Sequence, residues 1–288
     1  MKPVTLSLAG ALTAVFLTGS PVLAQSAAQA YDWQQPTATY SLPKELQEVS
    51  GIALLSGQRL GCIEDQTGTI YIYNLASKSV ESTLKFGKKG DYEDLARLPG
   101  AWLVLRSDGT LFKYKDDGTT SSYPTGLTAA NNPEGLAYDA SSKTLLIACK
   151  GAAGVGQPDQ RRAIYRLDAK TYQAQTKPAF VLDVAEIIAL DRRQSPGSAI
   201  NRFAPSAVAV HPLTRHIFVL AASGNALVEM DAQGTPLAVQ KLPRKLFPQP
   251  EGLTFAPNGD LYISSEMGDN GKAGTIQFFR ASPIAANK

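Results

Sequence analysis

Short apolar runs, each closed by a turn rich in Gly, Ser, Asn, Asp or Pro, fill the chain from about residue 38 to residue 280. Runs of this length, rich in β-branched and aromatic residues, predict strands joined by hairpins. One order of runs recurs. An acidic or small polar residue opens a short apolar strand of the form Gly/Ser/Asp-apolar-Ala/Thr-apolar. Five segments carry it: Glu48-Val-Ser-Gly-Ile-Ala, Glu93-Asp-Leu-Ala, Glu134-Gly-Leu-Ala, Ser206-Ala-Val-Ala and Glu251-Gly-Leu-Thr. A tight turn and a second apolar strand follow, as in Leu60–Ile63, Trp102–Leu105 and Leu145–Cys149. A third strand comes next, such as Ile70–Tyr73 or Ala226–Met230, and a more polar fourth closes most units, such as Ser79–Phe86 or Pro236–Leu242.

Four antiparallel strands in about 40–50 residues make one propeller blade. The expected fold is therefore all-β, a five-bladed β-propeller, with six blades as the alternative. The Glu134-to-Ser206 interval is longer than the rest, yet shorter than the roughly 85 residues that two blades need. It is assigned to one enlarged blade, with extra residues at Gly151–Arg162 and Val184–Phe203 and a helical turn at Val184–Leu190. The last unit has three strands before the repeat pattern stops. Ala38–Leu42 is the candidate fourth, which would close the ring and remove exposed sheet edges.

The first residues form no part of this pattern. Met1-Lys2, an apolar run to Leu17 and a break at Gly19-Ser20-Pro21 precede Val22-Leu23-Ala24, a small-x-small cleavage site. This reads as a signal peptide over 1–24, with Ala28-Gln29-Ala30 as a second, more distant site. The run is short for a membrane span, which needs about 20 residues. The expected organisation is a leader, one propeller over 31–280, and a tail over 281–288. The protein is expected to be exported to the periplasm or beyond, monomeric, with no membrane span after cleavage.

Composition narrows the chemistry. The chain of 288 residues is 44% hydrophobic and 18% charged, with a net charge of +3. Such a near-neutral chain lacks the basic footprint of a nucleic-acid binder, and its basic pairs (Lys88-Lys89, Arg161-Arg162, Arg192-Arg193, Arg244-Lys245) read as solvated loop ends. With two histidines and two cysteines, a His/Cys zinc site without carboxylates is excluded. Gly151-Ala-Ala-Gly-Val-Gly156 lacks dinucleotide-turn spacing. Cys62 and Cys149 fall in strands of different blades and read as buried free thiols. His211 and His216 bracket a turn at the end of blade four away from the acidic residues. Asp116-Asp117-Gly118 and Asp269-Asn270-Gly271 read as turns.

The acidic residues are the candidate chemistry. Inner strands of a propeller begin around one axis, so Glu48, Glu93, Glu134 and Glu251 would converge at one channel mouth, with Ser206 in the fourth unit. Crowded carboxylates raise one another's pKa, and a hard cation relieves them; calcium takes six to eight oxygen ligands. A supporting ring is expected from the ends of the second strands and from neighbours of Glu93: Glu64, Asp65, Arg106, Ser107, Asp108, Lys150, Ser223, Glu266, Asp91 and Asp94. Arg106 and Lys150 would offset part of the carboxylate charge or hold an anionic ligand. The competing reading makes each glutamate a solvated strand cap.

The stretches Glu48-Val-Ser-Gly-Ile-Ala, Asp91-Tyr-Glu-Asp-Leu-Ala, Asn132-Pro-Glu-Gly-Leu-Ala-Tyr, Pro205-Ser-Ala-Val-Ala-Val-His-Pro and Gln249-Pro-Glu-Gly-Leu-Thr-Phe resemble the SdiA-regulated domain family of exported or membrane-anchored bacterial propellers. The resemblance spans about residues 45–280 and departs at the long third blade. It implies a five-bladed propeller with a calcium (Ca2+) site at Glu48, Glu93, Glu134 and Glu251, distant likeness to NHL-repeat propellers, and no defined activity. The leading expectation is a calcium-bearing envelope protein that binds a small ligand or a partner protein. The alternatives are a metal-dependent esterase, lactonase or phosphoesterase, and an envelope scaffold. Metal hydrolysis needs a cation with an open position and a base, and no histidine falls near the ring.

Overall fold

The computed structural model describes residues 26–153, 160–268, 271 and 273–282. The leader over 1–24, Gly154 to Gly156 of the glycine-rich loop, Asp269-Asn270 and most of the 281–288 tail lie outside the described residues.

Five four-stranded antiparallel sheets form the blades. Blade one holds β2 (Val49–Ser56), β3 (Arg59–Glu64), β4 (Thr69–Asn74) and β5 (Ser79–Lys85). Blade two holds β6 (Tyr92–Leu98), β7 (Ala101–Arg106), β8 (Thr110–Lys115) and β9 (Thr120–Pro124). Blade three holds β10 (Pro133–Asp139), β11 (Thr144–Cys149), β12 (Arg161–Leu167) and β13 (Phe180–Asp183). Blade four holds β14 (Ala207–Val210), β15 (Ile217–Ala221), β16 (Ala226–Met230) and β17 (Pro236–Lys241). Blade five holds β18 (Gln249–Phe255), β19 (Leu261–Glu266) and β20 (Thr275–Phe279), with β1 (Ala38–Ser41) on its outer edge. β1 pairs antiparallel with β20, Ala38 opposite Phe278 and Ser41 opposite Thr275. The strand before blade one thus completes blade five and closes the ring. The inner strands touch in the cyclic order β2, β6, β10, β14, β18, β2.

Each blade packs both faces against its neighbours, which is why its middle strands read as continuous apolar runs. In β11, Leu145, Ile147 and Cys149 join the cluster shared with blade two, while Leu146 and Ala148 join the one shared with blade four. Further clusters fill the remaining interfaces: Ile63, Ile70, Leu95 and Trp102 between blades one and two, Ile52, Leu60, Tyr262 and Ile276 between five and one, Phe218, Leu220, Leu253 and Ile263 between four and five. Cys62 and Cys149 are buried free thiols in blades one and three. Burial first, and the Glu134 charge after it, push the Cys149 thiol up to about 12.

The long interval is one blade with an insertion. The insertion holds α1 (Val184–Gln194), capped by the Asp183 side chain, which accepts from Ala185 N and Glu186 N at 2.9 and 3.4 Å. Ile187, Ile200 and Phe203 bury against Val228 and Val239, so the insertion wedges between blades three and four. α1 continues beyond the turn expected at Val184–Leu190.

A second N-terminal device begins before residue 31. Residues Ser26–Trp33 strap across blades four and five, with Ala27, Ala28, Tyr31 and Trp33 in the apolar cluster of that interface. The strap holds the fully buried Glu229 of β16. Its carboxylate accepts from Ser26 Oγ at 2.5 Å, Ala27 N at 2.7 Å and Ala28 N at 2.8 Å, and pairs with His216 Nδ1 at 2.6 Å. Glu229→Gln replaces an acceptor oxygen by an amide nitrogen and leaves a buried N–H without a partner. A loss of about 1–3 kcal/mol is expected in denaturant unfolding; an unchanged midpoint would mean the strap does not depend on this carboxylate.

Candidate functional site: an acidic channel mouth

Four inner strands begin with a β-bulge. The register slips between Val49 and Gly51, Tyr92 and Asp94, Pro133 and Gly135, and Pro250 and Gly252. A bulge leaves one residue unpaired and re-aims its side chain. The bulged residues are Ser50, Glu93, Glu134 and Glu251, and Ser206 stands at the same level just before β14. The repeat register in blade one therefore differs from the sequence expectation: Ser50, not Glu48, is equivalent to the other three glutamates. Glu48 is exposed, two residues earlier. Aligning the units on Gly-apolar-Ala (Gly51-Ile-Ala against Gly135-Leu-Ala) rather than on the acid would have found Ser50.

Ser206 is spent on structure. Its Oγ donates to Pro250 O at 2.9 Å and accepts from Ala222 N at 3.2 Å, tying blade four to blade five. Asp94 is spent likewise. It is 2% exposed, and its two oxygens accept from Leu95 N at 2.8 Å and Leu136 N at 2.7 Å, stitching blades two and three. Gly51 makes this possible, since a Cβ there would stand 2.5 Å from Asp94 Oδ1. Burial holds the Asp94 carboxyl well above its usual range despite both bonds.

The remaining acids form a closed electrostatic circuit. Glu93 feels Glu134 and Asp91, and Glu251 feels Glu266 and Glu134. Glu266 feels Glu48 and Asp65, and Asp65 feels Glu48 and Asp91. Burial first, then these like charges, push Glu251 up to about 8 and Glu266 up to about 7. Glu93 and Glu134 are both held above the usual carboxyl range, chiefly by burial. Asp65 is raised by burial, then by Glu64. Glu64 itself caps the turn after β3 by accepting from Gln66 N at 3.1 Å and from Thr67 N.

Among the described residues, the Lys150 ammonium faces this circuit. Lys150 Nζ lies 3.2 Å from Glu134 Oε1. Burial depresses its pKa, but Glu134 and Glu251 outweigh that and hold it above the usual lysine range. Arg106 does not serve the ring as expected. Its guanidinium is paired with Asp108 at 2.7 Å and lies over the Phe112 ring at 5.0 Å. Ser223 forms a bridge with Ala204. Among the described residues, no group of three or more His, Cys, Asp or Glu stands ready to hold a metal ion.

The opposite channel end differs in character. A cavity of about 430 Å³ there is lined by the far ends of the inner strands, among them Ala53, Ala96, Ala137 and Ala209. His211 lies beyond it on the β14–β15 turn, with burial depressing its pKa to about 4.

A family model for SdiA-regulated proteins matches residues 113–268. The chain belongs to the SdiA-regulated family. The matched region holds Glu134, Lys150, Ser206, Glu251 and Glu266 of the mouth. No curated protein sequence matches the chain. Among solved structures, a luciferin-regenerating enzyme aligns at TM-score 0.51 and 14% identity, covering 88% of this chain and 98% of that one. Regucalcin, a calcium-binding protein of Agrobacterium tumefaciens str. C58, aligns at TM-score 0.50 and 14% identity, covering 87% and 98%. Both likenesses are of fold. The SdiA-regulated chain shares the propeller with them, and no helix among its described residues is long and apolar enough to cross a membrane.

The raised carboxyls fix the sign of a pH effect. An acid whose folded pKa exceeds its unfolded value stabilises the fold below the unfolded pKa, and that stability is lost as pH rises through the folded value. For Glu266 and Glu251 the loss runs through about 7 and about 8. In chelator, the melting temperature should fall by something on the order of 5 °C between pH 6 and pH 9. Glu251→Gln should flatten that slope. A cation-free wild type that melts equally at both pH values would contradict the electrostatic circuit.

Proposed function

We propose that this chain is an exported, non-catalytic binding propeller whose acidic mouth takes up calcium and, with it, engages a small ligand or an envelope partner. The observation that carries this reading is the gathering of the bulged Glu93, Glu134 and Glu251 at one channel mouth, opposed among the described residues by the Lys150 ammonium 3.2 Å from Glu134. At neutral pH such a circuit holds either protons or a cation. The donor set is all oxygen: the carboxylates of Glu93, Glu134, Glu251, Glu266 and Asp65. Hard oxygen donors of this kind suit Ca2+, which tolerates irregular geometry and water in its shell. The carboxylates do not form a ready-made cage, so Glu93, Glu134 and Glu251 are assigned as ligands, some direct and some through water, with Glu48 in a supporting place. The bound cation would supply fixed positive charge at the axis, where a carboxylate or phosphate of a ligand can share it.

Export rests on the Lys2-to-Ala24 leader pattern. The hydrolytic alternative gains no support from the placement of the histidines: both lie toward the other end of blade four, and His216 is committed to Glu229. Lys150 at the mouth is charged and ion-paired, which suits binding more than proton abstraction.

Calorimetric titration of the chelator-treated protein with calcium tests the reading. Binding should be saturable, weaker for magnesium, and accompanied by proton release at pH 7. Linkage then requires added stability of about 2.7 kcal/mol at a hundredfold excess over Kd. Glu134→Gln should weaken calcium affinity by about tenfold or more. Absence of binding heat and an identical melt with and without calcium would leave the mouth a proton-holding ring and the calcium assignment wrong.

A further inference from the structure

Blade four lacks a mouth glutamate, and its mouth-side loops build a feature of opposite charge. The segment entering β14, the β15–β16 turn and the segment leaving β17 enclose a cleft of about 460 Å³. Its lining is Ala199, Asn201, Arg202, Gly224, Lys241 and Arg244. No acidic residue lines it. None of its three cationic side chains makes an ion pair among the described residues.

The frame that gathers these cations is tied together. Asn225 is 1% exposed; its Nδ2 donates to Phe247 O at 2.5 Å, and its carbonyl accepts from Leu242 N at 2.7 Å. The loop carrying Arg244 is thereby fixed to the turn carrying Gly224. A bridge between Ala204 and Ser223 fixes the segment carrying Arg202 to the same turn. Gly224 has φ 111°, and a Cβ there would overlap the Arg202 carbonyl oxygen, so the two segments meet backbone to backbone. Arg202 is about forty residues from Lys241 and Arg244 in sequence and joins them only through this packing.

Three like charges in a polar concavity, without a carboxylate among them, call for an anion. Guanidinium forks match the oxygens of a phosphate bidentately, and an ammonium adds a point charge. We propose that this cleft binds a phosphate-type anion, carried either by a soluble ester or by an anionic lipid headgroup. The site shares no residue with the acidic circuit and does not rest on the calcium assignment. The mouth face then presents an acidic axis and a basic edge on blade four.

The test uses the full mature chain in EDTA, so that the acidic mouth contributes no metal. Inorganic phosphate is titrated calorimetrically into wild type, the Arg202→Ala/Arg244→Ala double variant and Lys241→Ala. In parallel, each protein is sedimented with phosphatidylglycerol vesicles and with phosphatidylcholine vesicles. Wild type should bind phosphate at one site, more weakly as NaCl rises from about 50 to about 200 mM. The double variant should lose at least about tenfold in affinity and Lys241→Ala a smaller factor, with melting unchanged because all three side chains are exposed. Binding to phosphatidylglycerol vesicles without binding to free phosphate, again lost in the double variant, would support the same site with a lipid headgroup as its anion. Wild type that binds neither probe, or variants that bind as well as wild type, would overturn the proposal. Should the double variant melt early, Lys241→Ala alone decides.

Discussion

Ring closure is the constraint on which the rest of the molecule depends. Five sheets can bury both faces only if the last packs against the first, and the β1–β20 pairing secures that meeting. Once closed, the ring brings the first residues of its inner strands around one axis. The bulges then decide what stands there. Because three of the bulged residues are glutamates, the closure that stabilises the core also crowds like charge at one mouth. The apolar interfaces between blades supply the stability against which that repulsion is held, and Lys150 offsets part of it.

The two ends of the chain's described N-terminal region do different jobs. β1 completes a sheet, through main-chain hydrogen bonds that any strand of suitable pattern can make. The strap at Ser26–Trp33 works through side chains and one buried carboxylate, Glu229. Cleavage after Ala30, the more distant of the two sites in the sequence, would remove Ser26, Ala27 and Ala28 and leave Glu229 facing His216 alone. Cleavage after Ala24 keeps all three donors.

What could be read from sequence was what repeats. Strand order, blade count, the closing strand, the single enlarged blade and the helix at Val184 all follow from patterns that occur several times or from a local cap such as Asp183. Glu48 lies close to where a mouth glutamate was sought, but the bulge sets the register, and it selects Ser50. Glu48 nonetheless enters the circuit beside Glu266 and Asp65. Arg106 was expected to serve the ring, but the hairpin turns it onto Asp108 two residues on. The strap and the basic cleft were illegible for a different reason: Ser26 meets Glu229, and Arg202 lines one cleft with Lys241 and Arg244, through packing that no local pattern announces.

The crowded carboxylates at the axis are proposed as a cation site. Crystals grown with calcium, and measured for anomalous scattering at long wavelength, test it most directly. An anomalous peak is expected on the channel axis among Glu93, Glu134 and Glu251, with the Lys150 ammonium displaced from Glu134. Crystals in millimolar calcium that show no peak there, with Lys150 still on Glu134, would contradict it.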